Sequence, residues 1–327
     1  MKKPFIYALF SALLLLLTYT SLTTGIIHIN SSLWYLLSHK DSTDGMTVWQ
    51  IRLPRAMGAI VIGAALGMAG ALAQAIFRNP LAEPTLIGLS SGATLGSIAV
   101  ISTGVGAYGS RFNVEIAILV ALFAALLVQF VAPHRGFGFL LTGIAISSIF
   151  TALAGVLISI SPKPGVQSLT FWNFGSLTLL NNETLSHVAP FIEVGFITAF
   201  FLSRKLDAYS LGESSSEYLG VNPRRVRFIA IIAMAFLVGG SVSAVGSIAF
   251  VGLLVPHIVR LLVGPSHRKL FSLSALVGST LLLFADLLAR SLFQPHEIPL
   301  GLITSLLGAP ILIALIRTRA AQWVRND

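Results

Sequence analysis

Long uninterrupted apolar runs dominate the chain, and their length decides what it can fold into. About ten of them, each of roughly 20 residues and so long enough to cross about 30 Å of hydrocarbon as a helix, follow one another with short polar breaks. They lie near residues 5 to 27, 54 to 77, 86 to 106, 114 to 133, 138 to 160, 188 to 203, 226 to 245, 248 to 263, 271 to 290 and 298 to 316. The expected fold is therefore all-α, a polytopic membrane protein of about ten transmembrane helices forming one domain over residues 1–327. Composition agrees, with 55% hydrophobic and only 10% charged residues and a mean hydropathy of +0.87. Such a chain has too little polar surface to cover a soluble globule. The least marked division falls between the seventh and eighth runs, where "SVSAVGSIAFVGLLVP" carries no charge and only glycines and Pro256 suggest a break.

In a chain of this kind a formal charge of +9 reports topology rather than affinity for nucleic acid. The opening "MKKPFIYALFSALLLLLTYT" has the outline of a secretory leader, but its apolar stretch is too long and no small-residue cleavage site follows. It is read as an uncleaved first span. An even number of crossings returns both termini to one side, and both are basic: Lys2 and Lys3 at the start, Arg317, Arg319 and Arg325 at the end. The excess of Lys and Arg in inner loops places both termini in the cytoplasm. The same threading leaves few cations outside: Lys40, Arg52, Arg55, Arg111, Lys163 and Arg290.

Three of these adjoin spans. Arg52 and Arg55 enter the second, and Arg290 ends the ninth, four residues after Asp286. Two readings stand. The arginines snorkel to lipid headgroups, or in the case of Arg290 pair with Asp286 along the helix. Alternatively they form an outward docking surface for an acidic soluble partner, since guanidinium groups suit directed pairing with carboxylates.

Residues 204 to 227, "RKLDAYSLGESSSEYLGVNPRRVR", make an unusually long polar stretch on the inner side. Glu213, Ser214, Ser215, Ser216 and Glu217 suit the start of a short helix, and Gly220 suits its end before Pro223. The stretch is either a handle for a cytoplasmic partner or a solvated connector.

Other features exclude chemistry. "GLSSG" at 88 to 92 matches a nucleophile-elbow pattern, but Gly88, Gly92 and Gly96 recur every four residues in an apolar run, as do Gly63 and Gly67. This spacing lines one helix face for close packing. The seven histidines show no metal-ligand spacing, and the absence of cysteine removes disulfides and thiolate-bound metals. His257 after Pro256 is read as satisfying a freed carbonyl or serving a pathway. No Gly-Lys pair occurs, so the chain has no P-loop and any ATP is hydrolysed by another polypeptide. "RNPLAEPTLIG" at 78 to 88 turns the chain on the inner side, and Pro295, Pro299 and Pro310 interrupt or open the last span. Breaks of this kind favour a bundle around a pathway over a lipid-bathed array. Pro54-Arg55 and Pro223-Arg224, each followed by an apolar run, give a faint echo of an inverted repeat.

Taken in order, "RLPR" at 52, "GAALGMAGALAQ" at 63, "RNPLAEPTLIGLSSGA" at 78, "LLTGIAIS" at 140, "FWNFGSL" at 171, "LGESSSEYLGVNPRRVR" at 211, "GSIAFVGLLVPHIVRLLVGPSHRKL" at 246, "ADLLARSLF" at 285 and "EIPLGLITSLLGAPI" at 297 resemble the permease subunits of bacterial ABC importers for ferric siderophores, haem and cobalamin. The resemblance covers nearly all the chain beyond the first span. It implies a type II ABC importer permease fold in the bacterial cytoplasmic (inner) membrane. The expected partners are a second permease subunit, identical or paralogous, two cytoplasmic ATPase subunits and a soluble substrate-binding protein on the outer face. It implies no cofactor and no covalent chemistry in this chain. Ferric siderophore stands first among the cargoes, then haem or cobalamin.

By the same resemblance Arg52, Arg55 and Arg290 dock the binding protein. Leu211, Gly212, Glu213, Ser214, Ser215, Ser216, Glu217, Leu219 and Gly220 form the coupling segment against the ATPase. Asn79 and Leu81 narrow the inner mouth of the pathway. The turn "HRGFGF" before the fifth span departs from the Ser/Thr-rich turn of some relatives and receives no gate residue. The competing reading, an ion-coupled secondary transporter or channel, requires ionisable groups in mid-membrane. Glu115, Glu193, Asp286 and Glu297 instead fall near outer ends.

Overall fold

The computed structural model describes residues 3–25, 33–132, 137–161, 173–294 and 296–323. Ten helices correspond to the ten apolar runs: α1 (Lys3–Thr23), α2 (Leu53–Ile76), α3 (Leu89–Thr103), α4 (Arg111–Val131), α5 (Phe137–Ile160), α6 (Asn182–Tyr209), α7 (Pro223–Val245), α8 (Val251–Val263), α9 (His267–Ser291) and α10 (Leu300–Trp323). Short helices at Leu33–Ser38 and Thr43–Met46 and a π-helical turn at Thr47–Arg52 lead into α2. No strand occurs among the described residues.

The ends of the helices follow local chemistry. Ser110, Asn181 and Asn222 cap α4, α6 and α7, their side-chain oxygens accepting the N–H groups of Asn113, Thr184 and Arg225. Pro223 takes the first position of α7, where its missing N–H costs nothing. Gly104 closes α3 at φ +76°, a conformation glycine adopts without strain. Gly88 also has positive φ (+80°) and ends a 3-10 turn at Pro84–Ile87. It therefore precedes α3, and only Gly92 and Gly96 lie on the helix.

Close helix approach rests on residues without side chains. A methyl group at Gly63 would collide with the carbonyl of Gly278, and one at Gly278 with the carbonyl of Gly63. This locks α2 against α9. Gly92 and Gly96 likewise face Ala121 and Ala117 of α4. The glycine spacing read from the sequence is thus packing. α2, α7 and α9 form the buried centre, whereas α1, α5 and α6 present most of their surface outward.

Among the described residues seven helices are long and apolar enough to cross a membrane, and α3, α8 and the apolar part of α10 are shorter. Irregular segments complete two of these short crossings. The break between the seventh and eighth runs lies at Gly246–Phe250, and Pro256 sits inside α8. Glu83, in the turn before α3, accepts the N–H of Phe250 at 3.0 Å. Pro84 lies against Gly252, and Gly252 against Gly70 of α2. Gly70 is six residues from the end of α2, about 9 Å along its axis. The two non-helical stretches are therefore joined by a bond that satisfies one backbone N–H within the protein, as a lipid environment requires.

Two polar clusters mark opposite ends of the 25-residue α9, with His267 and Arg290 about 35 Å apart along its axis. One gathers Ser21, Leu22, Arg52, Arg55, Thr178, Asp286, Arg290 and Glu297. The other gathers Ile76, Arg78, Asp207, Tyr209, Arg227 and His267. Tyr7 of α1 bonds to Ser272 at the second end, and α10 begins at the first end, where Leu300 donates to Gly175. The start of α1 and the end of α10 thus share the Tyr209 end.

The glycine contacts predict opposite responses at two positions. Gly63→Val should destabilise the protein by about 1–3 kcal/mol through overpacking. A methyl group at Gly155 of α5 meets nothing within 4 Å, so Gly155→Ala should be neutral or stabilising by up to about 1 kcal/mol. Thermal unfolding of the detergent-solubilised protein reads both.

Candidate functional site

The three arginines singled out in the sequence converge at one end of the bundle, but they are not bare surface cations. Arg52 is 4% exposed, Arg55 9% and Arg290 8%. Arg52, closing the π-helical turn, donates to the carbonyl of Leu22 at 2.9 Å. Arg55, in the first turn of α2, donates from Nε to Asp286 Oδ1 at 2.9 Å and from Nη1 to Glu297 Oε1 at 3.0 Å. Arg290 donates to the carbonyl and hydroxyl of Ser21 at 3.0 and 2.8 Å and to the carbonyl of Thr24 at 3.2 Å. Its Nε lies 3.6 Å from Asp286 Oδ2, the i, i+4 pair anticipated from the sequence.

Asp286 is therefore the hinge of this network, buried between two guanidinium groups on different helices. Glu297 lies nearer the surface. Its Oε2 accepts the Thr178 hydroxyl at 2.7 Å, tying in the segment before α6. Burial pushes the Glu297 carboxyl upward, but contact with Arg55 and the Thr178 hydroxyl outweighs it and holds the group below the usual carboxylate range. Asp286 and Glu297 offset the charges of Arg55 and Arg290, and Asp44 acts on Arg52.

At the opposite end Asn79 and Leu81 lie together in one turn. The Asn79 side chain accepts the Leu81 N–H at 2.9 Å, and Leu81 is exposed. Further along this turn Glu83 accepts the N–H of Phe250. His257 meets the carbonyl of Pro80, in the turn after α2, through Nδ1 at 3.3 Å, rather than a carbonyl of its own helix freed by Pro256.

The polar stretch 204–227 is shorter than its sequence suggests. Its first residues continue α6 to Tyr209 because Leu202, Leu206 and Tyr209, spaced i, i+4, i+7, are all buried. Pro223 already opens α7, so the connector comprises 210–222. Within it Glu213–Tyr218 form a short helix. Gly220, at φ +74°, ends that turn as it donates to Glu217, and Val221 donates to Ser216. Gly212 precedes the helix at φ +116°. Ser216 is buried, while Ser214, Ser215, Glu217 and Gly220 are exposed. Leu211, Tyr218 and Leu219 are also exposed, Tyr218 at 92%. Tyr218 went unnoticed in the sequence, although an aromatic residue beside a polar helix was visible there.

A groove of about 470 Å³ runs between α5 and the 3-10 turn, lined by Thr85, Leu86, Ile144, Ser147, Ser148, Thr151 and Ala152. Ser148, Thr151, Gly155 and Ser159 continue it as an exposed stripe of small and hydroxyl side chains along α5. Their spacing was legible in the sequence but was not used. The turn "HRGFGF" before α5 lies partly outside the described residues, as does Pro295.

The network at the arginine end predicts a graded response. Asp286→Asn leaves Arg55 and Arg290 without their shared buried counter-charge and should cost about 3–5 kcal/mol. Glu297→Gln should cost less. The depressed pKa of Glu297 means that its stabilisation is complete above the ordinary carboxylate range and is lost as pH falls through the folded-state value. Thermal unfolding across acid pH should therefore show a flatter acid limb in Glu297→Gln.

Comparison with known proteins places this geometry. The FecCD transport family matches residues 13–318. The chain is 36% identical over 319 residues to the hemin transport system permease protein HmuU of Yersinia pestis, covering 95% of this chain and 94% of that protein. It is 36% identical over 284 residues to the ferric enterobactin transport system permease protein FepD of Escherichia coli K12, covering 85% and 84%. A solved structure described as an inward-facing conformation of a metal-chelate type ABC transporter superposes with a TM-score of 0.84 at 31% identity, covering 96% of this chain and 99% of that one. PsaBC from Streptococcus pneumoniae in complex with Fab shares the fold, with a TM-score of 0.62 at 16% identity over 86% and 95% of the two chains. These findings decide against the ion-coupled transporter or channel: the chain belongs to the FecCD transport family, as a multi-pass, all-helical permease subunit of an ABC importer that itself carries out no ATP hydrolysis.

Proposed function

We propose that this permease imports an iron chelate, ferric siderophore first and haem or cobalamin next, across the bacterial inner membrane as one of two paired permease subunits. Support for the cargo comes from the relatives named for hemin, ferric enterobactin and Fe(3+)-citrate. The observation that carries the mechanism is the separation of two contact surfaces by the full length of α9. The arginine end receives a soluble binding protein, and the Tyr209 end seats two cytoplasmic ATPase subunits against 211–220. The termini then lie in the cytoplasm, in accord with the basic residues at both ends of the chain.

Docking in this arrangement is an exchange of partners. Arg55 already holds Glu297, which is half-buried, so an incoming carboxylate competes with Glu297 while Asp286 stays in place. On the inner side Leu211, Tyr218 and Leu219 supply apolar contact to the ATPase, and Asn79 and Leu81 narrow the exit. The hydroxyl-bearing stripe of α5 lines the path. ATP acts by stabilising one arrangement of the helices over another, since a ligand that binds both equally shifts neither.

Arg52→Gln keeps a donor for Leu22 and removes one charge. In reconstituted importer of parental thermal stability it should weaken association with the loaded binding protein at least tenfold and flatten its salt dependence. Parental affinity with a parental salt slope overturns the docking role. Tyr218→Asp should strip the ATPase from the purified complex, and full retention of that subunit removes the seat assigned to 211–220.

A further inference from the structure

Two non-glycine residues among those described adopt positive φ: Arg78 at 48° and Phe250 at 68°. Side chains disfavour this region, and a residue stays there only when its surroundings hold it. Both are fastened to the same turn, the one that carries Asn79 and Leu81. Phe250 donates its N–H to Glu83 at the far end of that turn. Arg78 begins the turn, immediately before Asn79.

Arg78 is held by one partner in two ways. Its Nη2 donates to the carbonyl of Tyr209 at 2.9 Å, and its guanidinium lies 4.4 Å from the centre of the Tyr209 ring. The second contact is a cation–π interaction, for which the planar guanidinium is well shaped. Tyr209 is 1% exposed. Its hydroxyl donates to the carbonyl of Ile76, the last residue of α2, at 3.1 Å. The same oxygen accepts from Arg227 in the first turns of α7 at 3.1 Å. Tyr209 is also the last residue of α6, and Ser210 after it opens the connector. One side chain thus touches the end of α2, the start of the Asn79 turn, the start of α7 and the root of the connector.

We propose that Arg78 and Tyr209 are positioning residues for transport, the joint through which movement of the 210–222 connector reaches the Asn79–Leu81 turn. This rests on reading those segments as the coupling element and the gate. A helix that ends in a left-handed residue usually has glycine there. Arginine accepts the unfavourable backbone at 78, and what it gains over glycine is the double contact with Tyr209. The Glu83–Phe250 bond holds the far end of the turn to α8, so displacement of Tyr209 acts on the near end, where Asn79 and Leu81 lie. A contiguous contact chain is a route for coupling only if both sites bias it, which perturbing Arg78 tests directly.

Arg78→Gly retains the left-handed backbone without strain and removes only the joint. The chain has no cysteine, so Leu81→Cys gives a single thiol at the gate. The complete importer, with its ATPase and binding protein, is reconstituted in proteoliposomes with Leu81→Cys alone and with Arg78→Gly added. ATP hydrolysis, substrate moved per ATP, and the rate of thiol labelling with and without a non-hydrolysable ATP analogue are measured. The joint variant should be as heat-stable as its parent and hydrolyse ATP within about twofold of it. Substrate moved per ATP should fall at least tenfold, and the nucleotide-dependent change in labelling should vanish. Arg78→Lys, which keeps the cation over the ring but not the guanidinium fork, should fall between; if Arg78→Gly fails to assemble, the same readouts on Arg78→Lys decide. Parental transport per ATP together with parental nucleotide-dependent labelling in the joint variant overturns the proposal. Should Leu81→Cys alone show no response to nucleotide, the gate reading on which the proposal rests fails first.

Discussion

Lipid offers no hydrogen bonds, and the rest of this architecture follows from that. Every backbone N–H and C=O within the bilayer must find a partner inside the protein, which turns nearly all of the chain into helix. The same demand makes the two exceptions informative. At 79–88 and 246–250 the chain is not regular helix, yet the first segment packs on Gly143 of α5 and Gly252 of α8, and the second on Gly175 and on Gly301 and Gly308 of α10. Glu83 supplies to the N–H of Phe250 an acceptor that helix would otherwise provide. A carboxylate at the start of α8 also complements the partial positive charge at a helix N-terminus. Irregular backbone is thus kept where the bundle can satisfy it, and one such segment holds the residues read as the inner gate.

Close packing follows from the same solvent. Lipid tails are as apolar as leucine side chains, so helices gain little from burying apolar area against one another and rely on contact and shape. Gly63 against Gly278 and Gly70 against Gly252 bring backbone to backbone, which makes α2 the axis on which α8 and α9 are set. The charged clusters then occur only at the ends of this axis, where water and headgroups lower the cost of ionised groups. Even there the arginines at one end are buried and compensated, with Asp286 shared between α2 and α9. That pairing fixes the relative register of the two central helices at one end, as the glycine contacts do along their length.

Much of this was legible in the sequence because it depends on local pattern. Ten apolar runs became ten helices, the glycine periodicity became helix contacts, and the short helix in the connector formed where its serines and glutamates placed it, ending at Gly220. What escaped depends on residues far apart in the chain. Asp286 and Glu297 were seen only as acids near outer ends, and nothing local assigns them to Arg55, more than two hundred positions earlier. The extent of α6 was underestimated because Arg204 and Lys205 look like a helix end, whereas Leu206 and Tyr209 on the opposite face keep the helix going. Arg78 was read only as a cation beside a proline-rich turn. Positive φ at an arginine has no sequence signature, since it arises from Tyr209 on another helix.

The two ends differ in how firmly their polar groups are held, and that difference bears on how a chain with no chemistry of its own does work. At the arginine end a carboxylate with almost no solvent contact clamps two helices, and only Glu297 is near enough to the surface to be exchanged. At the other end the contacts run through exposed segments: an Arg78 side chain over a ring, a connector with Leu211, Tyr218 and Leu219 facing outward, a turn with Leu81 exposed. A protein driven by binding events at both ends needs one end to keep its register while the other changes partners, because a ligand moves a structure only through contacts that differ between states. The fold places one strained residue, Arg78, on the turn that joins α2 to α3, and bonds the other, Phe250 at the start of α8, to Glu83 of that turn. Strain held by a small number of contacts can be released by breaking them, whereas the glycine-locked axis between the two ends has no such alternative.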